Sequence, residues 1–127
     1  MSERAQHLIN CEKRDRTGCL DLGNCGLTEL PDVSELDWLE TLIVSNQWWD
    51  GSQNKWVYSQ NTGGQPNHIT TSPVHPLPST LKKIILGSGP GKPWQIRDLR
   101  FLENLTALTS LDLSKNAISD LRFLENL

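Results

Sequence analysis

Three cysteines and three histidines are the side chains of this 127-residue chain best suited to bind a metal or to support catalysis. His7 and Cys11 stand four positions apart and would share one face of a helix, but no second close pair completes a zinc-type ligand set. His68 and His75 have no nucleophile and acid at a spacing that predicts a Ser-His-Asp arrangement. We therefore expect no metal, no cofactor and no enzymatic activity.

Residues 87–94 superficially resemble a phosphate-binding loop. That motif requires G-x-x-x-x-G-K-[ST], so that backbone amides wrap the phosphates and a hydroxyl holds magnesium. Here Leu86 stands at the place of the first glycine, and Pro93 replaces the final hydroxyl residue. Prolines also remove amide donors from such a cradle. The sequence instead predicts a turn, with Trp94 folded over it.

A group of aromatic residues lies within residues 48–79, among glycines, prolines and asparagines. Long irregular segments are functional or disordered, and aromatic side chains argue against disorder. Such residues can anchor a protein partner or stack on sugars, and the alternative is that each fills a core position. The segment also predicts a short hairpin with residues 55–59 and 68–71 as its strands. The aromatic candidates for binding are Trp48, Trp49, Trp56 and Tyr58.

A repeat in the amino-acid sequence predicts the structural elements that would position these residues. Residues 98–105 recur letter for letter as residues 120–127, an offset of 22 positions. Between the copies, Leu111 and Leu113 alternate, so both would point inward from a short strand. The same pattern starts at three earlier anchors, Leu20, Leu42 and Ile84. The anchor spacings are 22, 42 and 27 residues, which indicates insertions of 20 and 5 residues in the second and third units.

These units resemble the leucine-rich repeat family, on the phrases "LDLGNCGLTELPDVSELDWL" (residues 20–39) and "LTALTSLDLSKNAISDLRFLENL" (residues 105–127). The later phrase is similar to the 22-residue repeats of internalin-like and phosphatase-regulator-like proteins. The earlier phrase looks like bacterial intracellular repeats attached to GTPase or signalling-ATPase domains. The resemblance implies an α/β solenoid with a short parallel sheet on its concave face. At the place of the family's asparagine the four units carry Cys25, Gln47, Gly89 and Asn116.

We expect one leucine-rich repeat domain over residues 1–127. Ser2 begins a helical pattern that Gly18 ends, and this helix would cap the first coil. The expected parts are a helical cap, two repeats, the aromatic insertion and two further repeats, at residues 1–17, 18–47, 48–79 and 80–127. The last coil has no cap. We therefore expect either a fragment whose natural chain continues, or self-association of two copies through the open C-terminal coil.

Alternation along the strands predicts which side chains face the concave surface. At its centre lie Ile43 and Ile85, bounded by Asp21 and Asp112, a layout typical of a protein-contact patch. The alternative is that the insertion folds back and covers Ile43 and Ile85. The strand-face candidates for partner binding are Asp21, Thr41, Ile43, Ser45, Lys83, Ile85, Ser110 and Asp112.

Composition narrows the choice of partner and compartment. The formal net charge is −3 and no basic run occurs, which argues against nucleic acid. No apolar run approaches the roughly 18 residues that a membrane span needs, and the N-terminus lacks a secretory apolar region. An odd number of cysteines is typical of reduced thiols, so we expect a cytoplasmic protein.

The sequence therefore favours a non-catalytic protein–protein interaction module. It would bind a protein or peptide on the concave strand face, with help from the tryptophan-rich insertion. Two alternatives stay open: a sensor or scaffold fragment of a larger signalling protein of the GTPase or signalling-ATPase type, and carbohydrate binding by the insertion.

Overall fold

The computed structural model describes residues 2–88, 92–113 and 116. The second copy of the repeated octapeptide, at residues 120–127, lies outside the described residues, and with it the expected open C-terminal coil. The described elements, in chain order, are the helix α1 Glu3–Asp15, the strands β1 Cys19–Asp21, β2 Thr41–Ile43, β3 Gln47–Asp50, β4 Lys55–Tyr58 and β5 Lys83–Ile85, a 3-10 turn Arg100–Leu102, and the strand β6 Ser110–Asp112. No helix among these residues is long and apolar enough to cross a membrane.

Four of the strands form one parallel sheet, in the order β1-β2-β5-β6. Each strand contributes a central apolar residue in register with the next, because the leucine spacing repeats the same local pattern. The residues that stand side by side are Leu20, Leu42, Ile84 and Leu111. The first three are almost fully buried and belong to one continuous core, against which Leu111 packs. The sheet therefore has one face on the core and one face directed away from it.

Helix α1 covers the first edge of this core. The Ser2 side chain caps its N-terminus by accepting a hydrogen bond from the Ala5 amide at 3.1 Å. The helix ends at Asp15, before the expected stop at Gly18, because Arg16 adopts a left-handed conformation with φ of 47°. Ala5 and Ile9 face the core, because residues four positions apart lie on the same side of a helix.

Glu12 is a charged residue on the buried face of α1, only 4% exposed. Its carboxylate accepts hydrogen bonds from the Thr17 hydroxyl at 2.6 Å, the Trp38 indole at 2.8 Å and the Gly18 amide at 2.9 Å. Burial alone would raise the pKa of Glu12, but these hydrogen bonds together lower it below the ordinary value of 4.5. Glu12 thereby fixes the turn from the helix into the sheet.

The segments that follow the strands also stack on one another. The His68 amide donates to the Leu27 carbonyl at 2.8 Å, and the Gln95 amide donates to the Ile69 carbonyl at 2.8 Å. Ile69 and Ile96 are both fully buried. Trp94, expected to fold over a turn, instead lies inside the core at 1% exposure. The third unit has an insertion of five residues, so Trp94 stands at the repeat position that the sequence assigned to Gly89. Gly89 itself lies outside the described residues.

The insertion contains a hairpin, but its strands differ from those predicted. β3 pairs with β4 in antiparallel register, so residues 47–50, and not residues 68–71, are the partner of residues 55–58. Residues 68–70 lie beside the first coil, through hydrogen bonds to the Leu27 and Thr28 carbonyls. The prediction was wrong because the backbone amides of His68 and Thr70 bond to residues 27 and 28 rather than to the hairpin.

Candidate functional site

The β3–β4 hairpin has one buried face and one exposed aromatic face. Trp48 is 8% exposed, whereas its neighbour Trp49 is 47% exposed, as expected when successive side chains alternate. Trp49 and Trp56 are cross-strand partners, and Tyr58 lies two positions further along the same face. The rings of Trp49 and Trp56 pack edge to face, with centroids 5.5 Å apart and an interplanar angle of 79°. Trp56 and Tyr58 stay 42% and 67% exposed. Three large aromatic side chains thus share one accessible surface.

The end of the hairpin is fixed to the sheet by Asp21. Its carboxylate accepts hydrogen bonds from the Ser59 hydroxyl at 2.7 Å and the Gln60 amide at 2.9 Å. The Asn61 side chain donates in turn to the Asp21 carbonyl at 2.8 Å and the Gly23 carbonyl at 2.9 Å. Asp21, a predicted partner-binding residue, therefore uses its carboxylate within the chain. It faces away from the core as predicted, but it holds the insertion in place.

Close backbone packing reinforces this attachment. A Cβ atom at Gly23 would lie 2.4 Å from the Ser59 Cβ and 2.7 Å from the Ser45 carbonyl oxygen. A Cβ at Gly64 would lie 2.1 Å from the Asn24 carbonyl oxygen. Both glycines thus permit contacts that any other residue would block. The insertion is seated against the first coil.

Asn67 joins the far end of the insertion to two coils. Its amide nitrogen donates to the Leu22 and Val44 carbonyls, both at 2.8 Å. Its side-chain oxygen accepts from the Cys25 amide at 3.1 Å and the Leu27 amide at 2.8 Å. All four hydrogen-bonding positions of this buried side chain are therefore satisfied.

Asn67 occupies the position that the sequence pattern assigned to Gln47, and that assignment was wrong. Gln47 begins β3 instead. Asn116, assigned to the same position in the last unit, donates to the Leu86 carbonyl at 2.8 Å and the Leu113 carbonyl at 3.1 Å. Counting the 20 inserted residues forward from Gln47 gives Asn67, so the spacing contained the signal.

Two of the predicted strand-face residues are inaccessible. Ser45 is fully buried, and its hydroxyl donates to the Gly87 carbonyl at 2.6 Å and accepts from the Gly87 amide at 2.9 Å. Ile85 is 3% exposed. The prediction that they belong to an open contact surface was wrong, because both side chains are buried. The six members that keep accessible surface are Asp21, Thr41, Ile43, Lys83, Ser110 and Asp112.

Trp48 and Ile85 are buried apolar residues that lie outside the main core cluster of the described chain. Ile85 is on the sheet face opposite the core, since its neighbour Ile84 points into the core. We infer that the hairpin folds back over β5, with Trp48 covering this face. The sequence left two arrangements open, with Ile43 and Ile85 either exposed or covered by the insertion. Ile85 is buried, whereas Ile43 is half-buried.

A cleft of about 460 Å³ separates the hairpin from the start of β5. Its walls combine aromatic and charged side chains: Trp48, Asp50, Gln53, Lys55, Trp56, Val57, Tyr58 and Lys83. A hydrogen bond from the Ser52 hydroxyl is the main cause that lowers the pKa of Asp50, and the charge of Lys83 adds to it. Lys55 and Lys83 have no carboxylate oxygen within 4.0 Å among the residues that the structure describes.

The cysteines and histidines do not gather into one site in the described part of the chain. Cys25 is buried, and burial raises the pKa of its thiol. Cys11 lies 3.5 Å from the His7 ring, and His75 lies 3.7 Å from the Asp32 carboxylate. Within residues 2–88 and 92–113, no three His, Cys, Asp or Glu side chains come close enough to hold a metal ion. His68 lies beside Leu27, to whose carbonyl its amide donates, and it does not line the cleft.

Comparison with known proteins supplies no family for this chain. A scan against protein-family models finds no match. A sequence search of curated proteins finds no significant match. Function is therefore inferred from the geometry of the hairpin and the sheet.

Proposed function

We propose that this chain is a non-catalytic interaction module that binds a protein or peptide on the exposed face of its hairpin and the adjoining strand face. One observation carries the proposal. Trp49, Trp56 and Tyr58 lie together on one hairpin face and remain between 42% and 67% exposed. Leaving three large aromatic side chains in water gives up the stabilisation that their burial would provide, so a role in contacts with a partner explains their position.

The attachment of the hairpin supports this role. Asp21, Gly23 and Asn67 fix both ends of the insertion to the sheet, so its aromatic face is held ready before a partner arrives. Preorganised anchors lose little conformational entropy on binding. Trp and Tyr are also the residues that most often dominate the energetics of protein interfaces.

We further propose that the module is a leucine-rich repeat solenoid that works in the cytoplasm. The in-register ladder of Leu20, Leu42, Ile84 and Leu111 supports the solenoid, as do the stacked segments at Leu27 and Ile69. Cys25 supports a reducing compartment, because it is a buried thiol that packs as a small apolar residue.

Carbohydrate binding is the weaker interpretation of the same residues. Sugar rings stack on flat aromatic faces, and an extended sugar chain needs several such faces side by side. Trp49 and Trp56 meet at 79°, so the edge of one ring adjoins the face of the other. This arrangement favours an irregular protein surface over a sugar chain.

The proposal is tested by selecting ligands from a phage-displayed library of random peptides. We expect the chain to select peptides whose affinity falls by about 30-fold or more when Trp49 or Trp56 becomes alanine, the loss typical of an interface anchor. Val74→Ala is the matched control, because Val74 is an exposed apolar side chain, 82% accessible, in the proline-rich segment. Equal affinity of the Trp49→Ala and Val74→Ala variants would refute the proposal.

A further inference from the structure

The cleft between the hairpin and β5 is continuous with the exposed aromatic surface. Trp56 and Tyr58 contribute to both, since they are substantially exposed and also line the cleft. Trp48 and Val57 form its apolar floor on the inner side of the hairpin. A volume of about 460 Å³ accommodates one or two amino-acid side chains of a bound segment.

The charge of this cleft differs in sign from that of the chain. The whole chain has 12 basic and 15 acidic residues, whereas the cleft lining has Lys55 and Lys83 against one acid, Asp50. Asp50 is already engaged in its own turn, where one carboxylate oxygen accepts from the Ser52 amide at 2.9 Å, the Ser52 hydroxyl at 2.6 Å and the Gln53 amide at 3.3 Å. Lys55 and Lys83 therefore line the cleft with no ion-pair partner within 4.0 Å in the described part of the chain.

We propose that this cleft receives an acidic side chain of the bound peptide, whose carboxylate lies between Lys55 and Lys83 while the adjacent apolar residue packs on the exposed ring of Trp56. The inference rests on the proposed peptide-binding function. Hydrogen bonds from an ammonium group to a carboxylate are stronger than neutral ones, and apolar walls reduce their screening by water. An oligonucleotide is the less favoured anionic ligand, because the acidic chain repels a continuous phosphate backbone.

The experiment uses three arrays of tryptophan-free, degenerate decapeptides that differ only in a fixed central residue: Glu, Gln or Lys. The intact chain and its variants are applied to all three, and a uridine oligonucleotide is tested in parallel. Lys83→Glu and Lys55→Glu probe the cleft independently. Lys82→Glu is the matched control, because Lys82 is the exposed neighbour of Lys83, pairs with Glu40 at 2.7 Å and does not line the cleft.

We expect the Glu array to bind at least about tenfold more strongly than the Gln array, and the preference to fall with added salt. Lys83→Glu or Lys55→Glu should abolish the preference, whereas Lys82→Glu should keep it. Binding that depends on Trp49 and Trp56 but not on the central residue would overturn this inference alone. Binding to none of the arrays would overturn the proposed function as well, and stronger capture of the oligonucleotide would overturn the choice of ligand.

Discussion

The Asp21 carboxylate accepts a 2.7 Å hydrogen bond from the Ser59 hydroxyl, 38 positions later in the chain. This contact joins the first strand of the sheet to the residue that directly follows the hairpin. The Gln60 amide donates to the other oxygen of Asp21, so both carboxylate oxygens have a partner from the insertion. The aromatic hairpin is thereby part of the folded unit rather than a loose loop.

Replacing Asp21 with alanine should lower the free energy of unfolding by about 2 kcal/mol, because the Ser59 hydroxyl and the Gln60 amide lose a charged acceptor. Urea titration followed by circular dichroism measures the change. Asp98→Ala is the control, since Asp98 pairs with Arg100 at the surface and such pairs contribute little. Equal losses in the two variants would contradict the role given to Asp21.

Asn67→Ala should cost on the order of 3 kcal/mol, because it leaves the Leu22 and Val44 carbonyls and two backbone amides without their buried partner. The comparison is Asn10→Ala, which removes an exposed asparagine from α1. The midpoint and slope of denaturant unfolding give the free energy of unfolding of each variant. A loss below about 1 kcal/mol at Asn67 would mean that the coils do not depend on this bridge.

Gly23→Ala tests the close contact between the first coil and the insertion. The added Cβ would lie 2.4 Å from the Ser59 Cβ, so the insertion must shift, at a cost of about 2 kcal/mol. Gly51→Ala in the hairpin turn meets no atom within 4 Å and should change stability by less than about 0.5 kcal/mol. Thermal unfolding of the pair should separate them, and indistinguishable midpoints would refute the packing.

Acid should destabilise the chain in part through Glu12. Its pKa in the folded state lies below the ordinary value of 4.5, so its ionised form favours folding. That contribution is fully present above about pH 4.5 and disappears as the pH falls through the folded-state pKa. We expect Glu12→Gln to be less stable than the wild type at pH 7 and to lose less stability between pH 5 and about pH 3. The free energy of unfolding of both proteins is measured against pH, and parallel curves between pH 5 and about pH 3 would exclude this role of Glu12.

The strand register is the part of the fold that the sequence predicts well. Leu20, Leu42, Ile84 and Leu111 each begin the same alternating pattern, and only one alignment places all of them on the core side. The helix start at Ser2 was equally readable, because capping depends on a few adjacent residues.

The site was harder to predict because it depends on contacts between distant residues. The register of β3 with β4 decides whether Trp48 or Trp49 lies on the exposed face of the hairpin. A shift of that register by one residue would exchange the two faces. The sequence places Asp21 on the strand face, but its hydrogen bond to Ser59 joins residues 38 positions apart, which the strand pattern does not predict. The repeat pattern sets the asparagine at a fixed distance from Leu42 and therefore predicts Gln47, whereas the insertion moves this position by 20 residues to Asn67.

The most direct test of the account is the response of the five tryptophan indole N–H signals when a library-selected peptide is titrated into ¹⁵N-labelled protein. The account predicts that the signals of Trp49 and Trp56 shift or broaden in proportion to peptide bound. Those of Trp94, inside the core, and Trp38, bonded to Glu12, should stay in place. Shifts confined to Trp38 or Trp94, with Trp49 and Trp56 unchanged, would contradict binding at the hairpin.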